Sequence, residues 1–155
     1  MEEQDKVKKR IDIISAISEE ITRYINNIDR ENCGEIPFKL TPSKFLILKT
    51  IYEKGKCMVV DIARKLNFTS GATTLALNTL EKEGLIVRTR DQVDRRVVWL
   101  HLSEQGVQIT ERVMKNRDKF WNTLLKNLEE EEQEQFLLLF QKMVKGLSEN
   151  EENND

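Results

Sequence analysis

Histidine occurs once in this chain, as His101, and that count alone removes a large share of catalytic chemistry. Histidine-rich metal sites and the H-E-x-x-H zinc motif each need at least a pair. Glycine is scarce and scattered (Gly34, Gly55, Gly71, Gly84, Gly106, Gly146), so neither G-x-G-x-x-G nor a phosphate-binding loop can be written. The two cysteines, Cys33 and Cys57, form neither a disulfide framework nor a C-x-x-C pair, which suits a reducing, cytoplasmic setting. The longest apolar run is Phe136 to Phe140, too short to span a bilayer, so no membrane partner is expected. No uninterrupted apolar stretch with a cleavage site opens the chain, and a secretory leader is not expected. Carboxylates are plentiful, yet no pair stands out from a solvated helical surface. The residues therefore offer no catalytic, metal or cofactor site, and the expectation is a protein that is not an enzyme.

What is present is charge and helix. Hydrophobic residues make up 39% of the 155 positions and charged residues 34%. That supports a core with much surface around it, as in an elongated or oligomeric helical protein. The net charge of −2 conceals an uneven distribution. Residues 41–106 hold 11 basic and 7 acidic side chains, net +4, whereas residues 1–40 are net −2 and 107–155 net −4. A basic middle between acidic ends is the asymmetry of a module that meets a polyanion.

Along the chain, Val7, Ile11, Ile14, Ile21, Ile25 and Ile28 follow the alternating spacing of a heptad seam. Ile13, Ile17 and Tyr24 add a second stripe, so this helix has two faces to bury. Thr41-Pro42 starts another helix, a hydroxyl cap with proline in the first turn, and Gly55 stops it. Its expected inner face is Phe45, Leu48, Ile51 and Tyr52. Val59 to Leu66 is a short helix with Ile62, Ala63 and Leu66 inward, and Met58 stands where a capping hydroxyl is common. Asn67 suits a left-handed turn. Thr69 then caps a helix that turns Thr73, Leu77 and Leu80 inward and ends at Gly84. Two short helices joined this way form a helix-turn-helix. Leu85 to Arg90 and Val97 to Leu102 read as the strands of a hairpin around a polar tip. Ser103 caps a long helix, and Glu129 to Glu132 open a last one, with Phe136, Phe140, Met143, Val144 and Leu147 as its stripe.

Three spacings carry a more specific signal: Leu80-Glu81-x-x-Gly84-Leu85-Ile86, then Asp94-Arg95-Arg96, then Leu102-Ser103-x-x-Gly106. With the Thr69-Ser70-Gly71-Ala72 opening, the chain resembles the MarR family of winged-helix transcriptional regulators. The motifs match from about Leu40 to Gly106, and the helix order matches over nearly the whole chain. The resemblance implies a mainly α fold. An N-terminal dimerisation helix (1–36) precedes a winged helix-turn-helix DNA-binding module (37–106), with the helix-turn-helix at about 59–82 and the wing at 85–102. C-terminal dimerisation helices (107–147) and a disordered acidic tail (148–155) follow. It further implies a homodimer on double-stranded DNA and release by a small-molecule or redox signal, the former a small aromatic or amphipathic effector whose site residues are unknown.

On that reading Ser70, Gly71, Thr74, Leu75, Asn78 and Lys82 face the major groove. Arg95 and Arg96 reach the minor groove, with Asp94 holding one guanidinium. Arg64, Lys65, Arg88 and Arg90 supply charge toward phosphate. No basic residue lies between Thr69 and Leu80, so guanine reading by a bidentate arginine is closed to this helix. Cys33 is weighed as a peroxide sensor, though Glu31 and Glu35 beside it work against a reactive thiolate. His101, Trp99, Trp121, Tyr24 and Tyr52 are read first as packing residues. The competing reading is a winged helix that binds protein and has little affinity for DNA.

Overall fold

A computed structural model describes residues 2–32 and 40–152, with side chains for residues 3–25 and 40–146. Six helices and one hairpin follow in order: α1 Glu2–Asn32, α2 Pro42–Lys54, α3 Val59–Leu66, α4 Ser70–Lys82, β1 Ile86–Arg90, β2 Val98–Leu102, α5 Glu104–Leu125 and α6 Glu130–Glu152. The chain divides into two compact units, residues 1–116 and 117–155. Cys33 lies outside the described residues.

The first unit owes its core to α2, α3, α4, the hairpin and the start of α5. Ile47, Leu48, Ile51, Ile62, Leu77, Leu80, Leu85, Ile86, Leu100 and Ile109 form one buried cluster. The expected inner face of α2 is rotated: Ile47 and Thr50 join Leu48 and Ile51 in the interior, Phe45 is half-buried and Tyr52 is exposed. A phenol hydroxyl is costly to bury without a partner. At the surface it donates to Glu111 Oε1 at 2.8 Å, which holds the phenol above its ordinary pKa. On α3 only Ile62 is fully buried.

The turns follow the capping signals. Thr41 Oγ1 accepts the Lys44 N–H at 3.3 Å, and Gly55 closes α2 with φ of 73°. Met58 has no side chain able to cap α3, but Asp61 at the third helical position accepts the Met58 N–H at 2.8 Å. That is half of a capping box, which compensates for the missing hydroxyl. Asn67 is left-handed (φ 52°, ψ 41°) and turns the chain into Thr69, whose Oγ1 accepts the Ala72 N–H at 3.2 Å. Lys44 and Glu83, both largely buried, pair across the start of α2 and the end of α4.

β1 and β2 pair antiparallel from Ile86↔Leu102 to Arg90↔Val98, one residue shorter at each start than the sequence suggests. Cys57 adds a bridge to Leu100 on the other edge of β2, through bonds of 3.2 and 2.8 Å. It is buried, and burial pushes its thiol pKa up, which makes it inert. The hairpin is pinned where α4 ends and α5 begins. Ser103 donates its N–H to the Leu85 carbonyl and its hydroxyl to the Gly84 carbonyl, while its Oγ accepts the Gly106 N–H at 2.9 Å.

Among the described side chains of α1, Val7, Ile11, Ile13, Ile14, Ile17, Tyr24 and Ile25 are exposed, Ile11 at 55% and Ile14 at 56%, while Ile21 is half-buried. In the second unit Phe120 is buried, with Trp121 edge-on to it at 5.1 Å. Phe136 stacks on Phe140 at 5.5 Å, and Gln133 donates to the carbonyls of Leu125, the last residue of α5, and of Leu128 in the turn that follows. The acidic tail expected from residue 148 is corrected in part: α6 continues to Glu152. Glutamate propagates a helix well once the helix is nucleated, whatever it lacks for a core.

A β-carbon at Gly106 would stand 2.0 Å from the Leu85 carbonyl oxygen, so backbone would have to move. Gly106→Ala should therefore lose about 1–3 kcal/mol by urea denaturation, although alanine ordinarily gains in a helix. Gly71→Ala, with open space around it, should be neutral or stabilising in the same assay.

Candidate nucleic-acid interface

Helix α4 presents two faces because its period leaves Thr73, Leu77 and Leu80 in the core. The outward row is Ser70, Gly71, Thr74, Leu75, Asn78 and Lys82, every one of them exposed. Leu75 is 70% exposed, a large apolar side chain held toward solvent. Thr74 and Thr79 bond back to the Ser70 and Leu75 carbonyls.

The hairpin tip is organised by an aspartate that the sequence reading passed over. Asp91 Oδ1 accepts the N–H groups of Val93 (2.9 Å) and Asp94 (3.0 Å), and its Oδ2 accepts the Trp99 indole N–H at 2.9 Å. The Trp99 bond first, then the two backbone bonds, hold the Asp91 carboxyl down at about 2. Lys56 rests over the Trp99 ring, 4.4 Å from its centroid. An acid at a strand end, followed by polar residues, is an Asx-turn signal that would have found it.

Asp94 does a different job from the one expected. Its Oδ1 accepts the backbone N–H of Arg96 at 3.0 Å, and its carbonyl accepts the Val97 N–H at 2.9 Å. Among the described residues no ion pair joins it to a guanidinium. The expectation that Asp94 holds a guanidinium is thus corrected. A carboxylate two residues ahead of an N–H is better placed for that local bond than for a long flexible side chain. Arg95 and Arg96 are left exposed beside Val93, which is 96% exposed.

The remaining basic candidates separate. Arg64 and Arg90 are exposed, without an ion-pair partner among the described residues. Lys65 bonds Glu53 at 2.9 Å, and Glu53 also meets Lys49 at 3.4 Å, which lowers its carboxyl pKa. Arg88 turns back to α4, with Nη2 at 2.8 Å from Asn78 Oδ1 and Nη1 at 3.3 Å from Glu81 Oε2. His101 Nε2 lies 2.9 Å from Thr89 Oγ1 across the hairpin, a packing role. Among the described residues no cluster of His, Cys, Asp or Glu suits a metal ion, and no helix is long and apolar enough to cross a membrane.

The depressed Asp91 carboxyl has a stability consequence with a definite sign. Its folded value lies below its unfolded value of 3.8, so its contribution is complete above about pH 4 and lost as pH falls toward 2. The stability gap between wild type and Asp91→Ala should shrink over that window and stay flat from pH 5 to 7. The Trp99 indole N–H resonance should shift with a midpoint near 2.

Comparison with known proteins places this geometry. The MarR family model matches residues 40–98. The HTH-type transcriptional regulator YwhA of Bacillus subtilis is 34% identical over 124 residues, covering 80% of this chain and 89% of its own. The HTH-type transcriptional repressor MdtR of Bacillus subtilis is 30% identical over 115 residues, 74% of each chain. Solved structures of Staphylococcus aureus MepR are 26% identical. One mutant superposes with a TM-score of 0.67, over 87% of this chain and 93% of that one. MepR has been solved bound to an oligodeoxyribonucleotide (TM-score 0.58) and to ethidium bromide (0.62). The helix-turn-helix, the hairpin and the likeness to YwhA along most of both chains agree: this chain belongs to the MarR family of HTH-type transcriptional regulators.

Proposed function

We propose that the protein is a cytoplasmic homodimeric repressor that binds a pseudo-palindromic operator and is released by a small aromatic or amphipathic ligand. The observation that carries the reading is the exposed row Ser70 to Lys82 on α4, next to a braced hairpin with Arg95 and Arg96 at its tip. A helix of this kind fits the major groove, and an arginine gains from the negative potential of a narrow minor groove. Thr74, Leu75 and Asn78 favour A·T-rich half-sites, since Leu75 suits thymine methyls and Asn78 suits adenine. Arg64 and Arg90 serve the phosphates. The repressor named MdtR and the ethidium complex of MepR support the repressing and ligand-released parts by analogy.

Dimerisation rests on α1 and α6. Ile11, Ile14 and Ile17 on the first, and Leu138, Leu139 and Met143 on the second, are all at least half exposed within one chain. Such faces on a stable soluble protein call for a partner surface. A second copy provides one, with total burial above about 2,000 Å² in interfaces of this kind. Sedimentation should show a dimer at micromolar concentration, and a stable monomer would contradict the reading.

A specific observation favours a protein-binding alternative: α4 combines an exposed Leu75 with no basic residue before Lys82. Binding to the duplex upstream of its own gene separates the two. On the DNA reading, Arg96→Ala costs about 1–3 kcal/mol of binding, more than Asn78→Ala does, and flattens the slope of log affinity against log salt by about one unit. Asp94→Ala should weaken binding as well, although it removes a negative charge, because the Arg96 N–H loses its partner at the tip. Tighter binding by Asp94→Ala together with a neutral Arg96→Ala would make the hairpin a passive turn.

A further inference from the structure

We propose that Arg88 is a positioning residue that sets how Asn78 reads a base, and not a contact to the phosphate backbone. The inference rests on the DNA-binding reading above. Strand alternation puts Ile86 and Arg88 on one face of β1, and Ile86 is in the core, so Arg88 turns toward α4. Asn78 and Glu81 are three apart on that helix and present neighbouring side chains. Arg88 meets both: Nη2 reaches Asn78 Oδ1 at 2.8 Å and Nη1 reaches Glu81 Oε2 at 3.3 Å. Its Nε is buried without a hydrogen-bond partner, so that edge of the guanidinium is turned into the protein and away from solvent.

Donor chemistry decides the orientation of the amide. Guanidinium has five N–H donors and no acceptor, so only the oxygen end of Asn78 can face it. A half-turn of the amide would set two donors against each other. The nitrogen end is thereby assigned as well, and among the described residues Nδ2 bonds to nothing. Adenine offers an N6 donor and an N7 acceptor in the major groove, and a side-chain amide reads it with oxygen and nitrogen in one order. The amide oxygen has a second lone pair, so Oδ1 accepts from adenine while Arg88 holds the first. A free amide could instead turn over and donate to the O6 that guanine places where adenine has its N6 donor, or to thymine O4. Arg88 removes that freedom and sharpens the choice of adenine. Glu81 offsets the guanidinium charge at the same time, leaving Arg88 little attraction for phosphate.

The test measures affinity on duplexes carrying each base pair at every half-site position, at three salt concentrations. Wild type, Asn78→Ala, Arg88→Ala, Arg88→Lys and the double alanine variant are compared. Asn78→Ala should abolish an adenine preference at one base pair. Arg88→Ala should cut that same preference about fivefold or more, and the double variant should lose no more than Asn78→Ala alone. The salt slope should stay within about half a unit of wild type, since no phosphate contact is lost. Arg88→Lys keeps the charge without the planar fork and should lose the preference too; it also serves if the alanine variant does not fold. Arg88→Ala weakening every duplex alike, with the slope falling by about one, would overturn the proposal and make Arg88 a phosphate contact. A wild-type protein that binds these duplexes with no base preference would overturn the operator reading itself, a result separable from the first.

Discussion

The close approach of Gly106 to the Leu85 carbonyl is the constraint on which the rest of the DNA-facing surface depends. It leaves no room for a side chain, so the start of α5 lies directly against the backbone that joins α4 to β1. Ser103 completes the junction by capping α5 while bonding the Gly84 and Leu85 carbonyls. Gly84 itself has φ of 72°, the left-handed turn that lets the chain leave α4 and enter the hairpin at once. The end of α4, the start of the hairpin and the start of α5 are therefore fixed to one another by close backbone contact and by the bonds of Ser103. On the proposed reading, base contact by α4 and groove contact by the tip depend on that separation being held.

The second organising element is the network around Asp91. One carboxylate accepts two backbone N–H groups and one indole N–H, which ties the tip to the face of β2 where Lys56 lies on Trp99. Asp94 adds the Arg96 N–H. Both acids are engaged by donors of the protein, so their charge does less to repel a duplex than a bare count implies. The positive charge left outermost is that of Arg95 and Arg96. On α4 the same economy applies, since Arg88 is turned inward to Asn78 and Glu81. On the proposed reading the helix discriminates and the tip attracts, a division that follows from which guanidinium groups are engaged.

Much of this was legible because it lies in local signals. The caps at Thr41 and Thr69, the left-handed Asn67, the inward Thr73, Leu77 and Leu80, and the outward row of α4 follow from spacing and residue type. So did the family, through motifs whose Gly106 is required by backbone sterics at Leu85 and whose Ser103 bonds the Leu85 carbonyl. What was not legible depends on tertiary partners. Tyr52 looked like core until Glu111, far away in sequence, offered its hydroxyl a surface acceptor. Arg88 looked like a phosphate contact because strand alternation says which face it takes, and not what waits there. The family resemblance points Asp94 toward a guanidinium, whereas the backbone N–H of Arg96, two residues on, takes its carboxylate. The helical continuation to Glu152 shows propensity prevailing over the absence of apolar residues.

The central claim is that a helix without arginine, held rigidly beside an arginine-tipped hairpin, reads DNA sequence. Genomic footprinting of the protein tests it most directly. The account predicts protected A·T-rich sites with two-fold symmetry, their half-sites about one helical turn apart, roughly 34–36 Å. Protection without a shared sequence, or recovery of G·C-rich asymmetric sites, would contradict it.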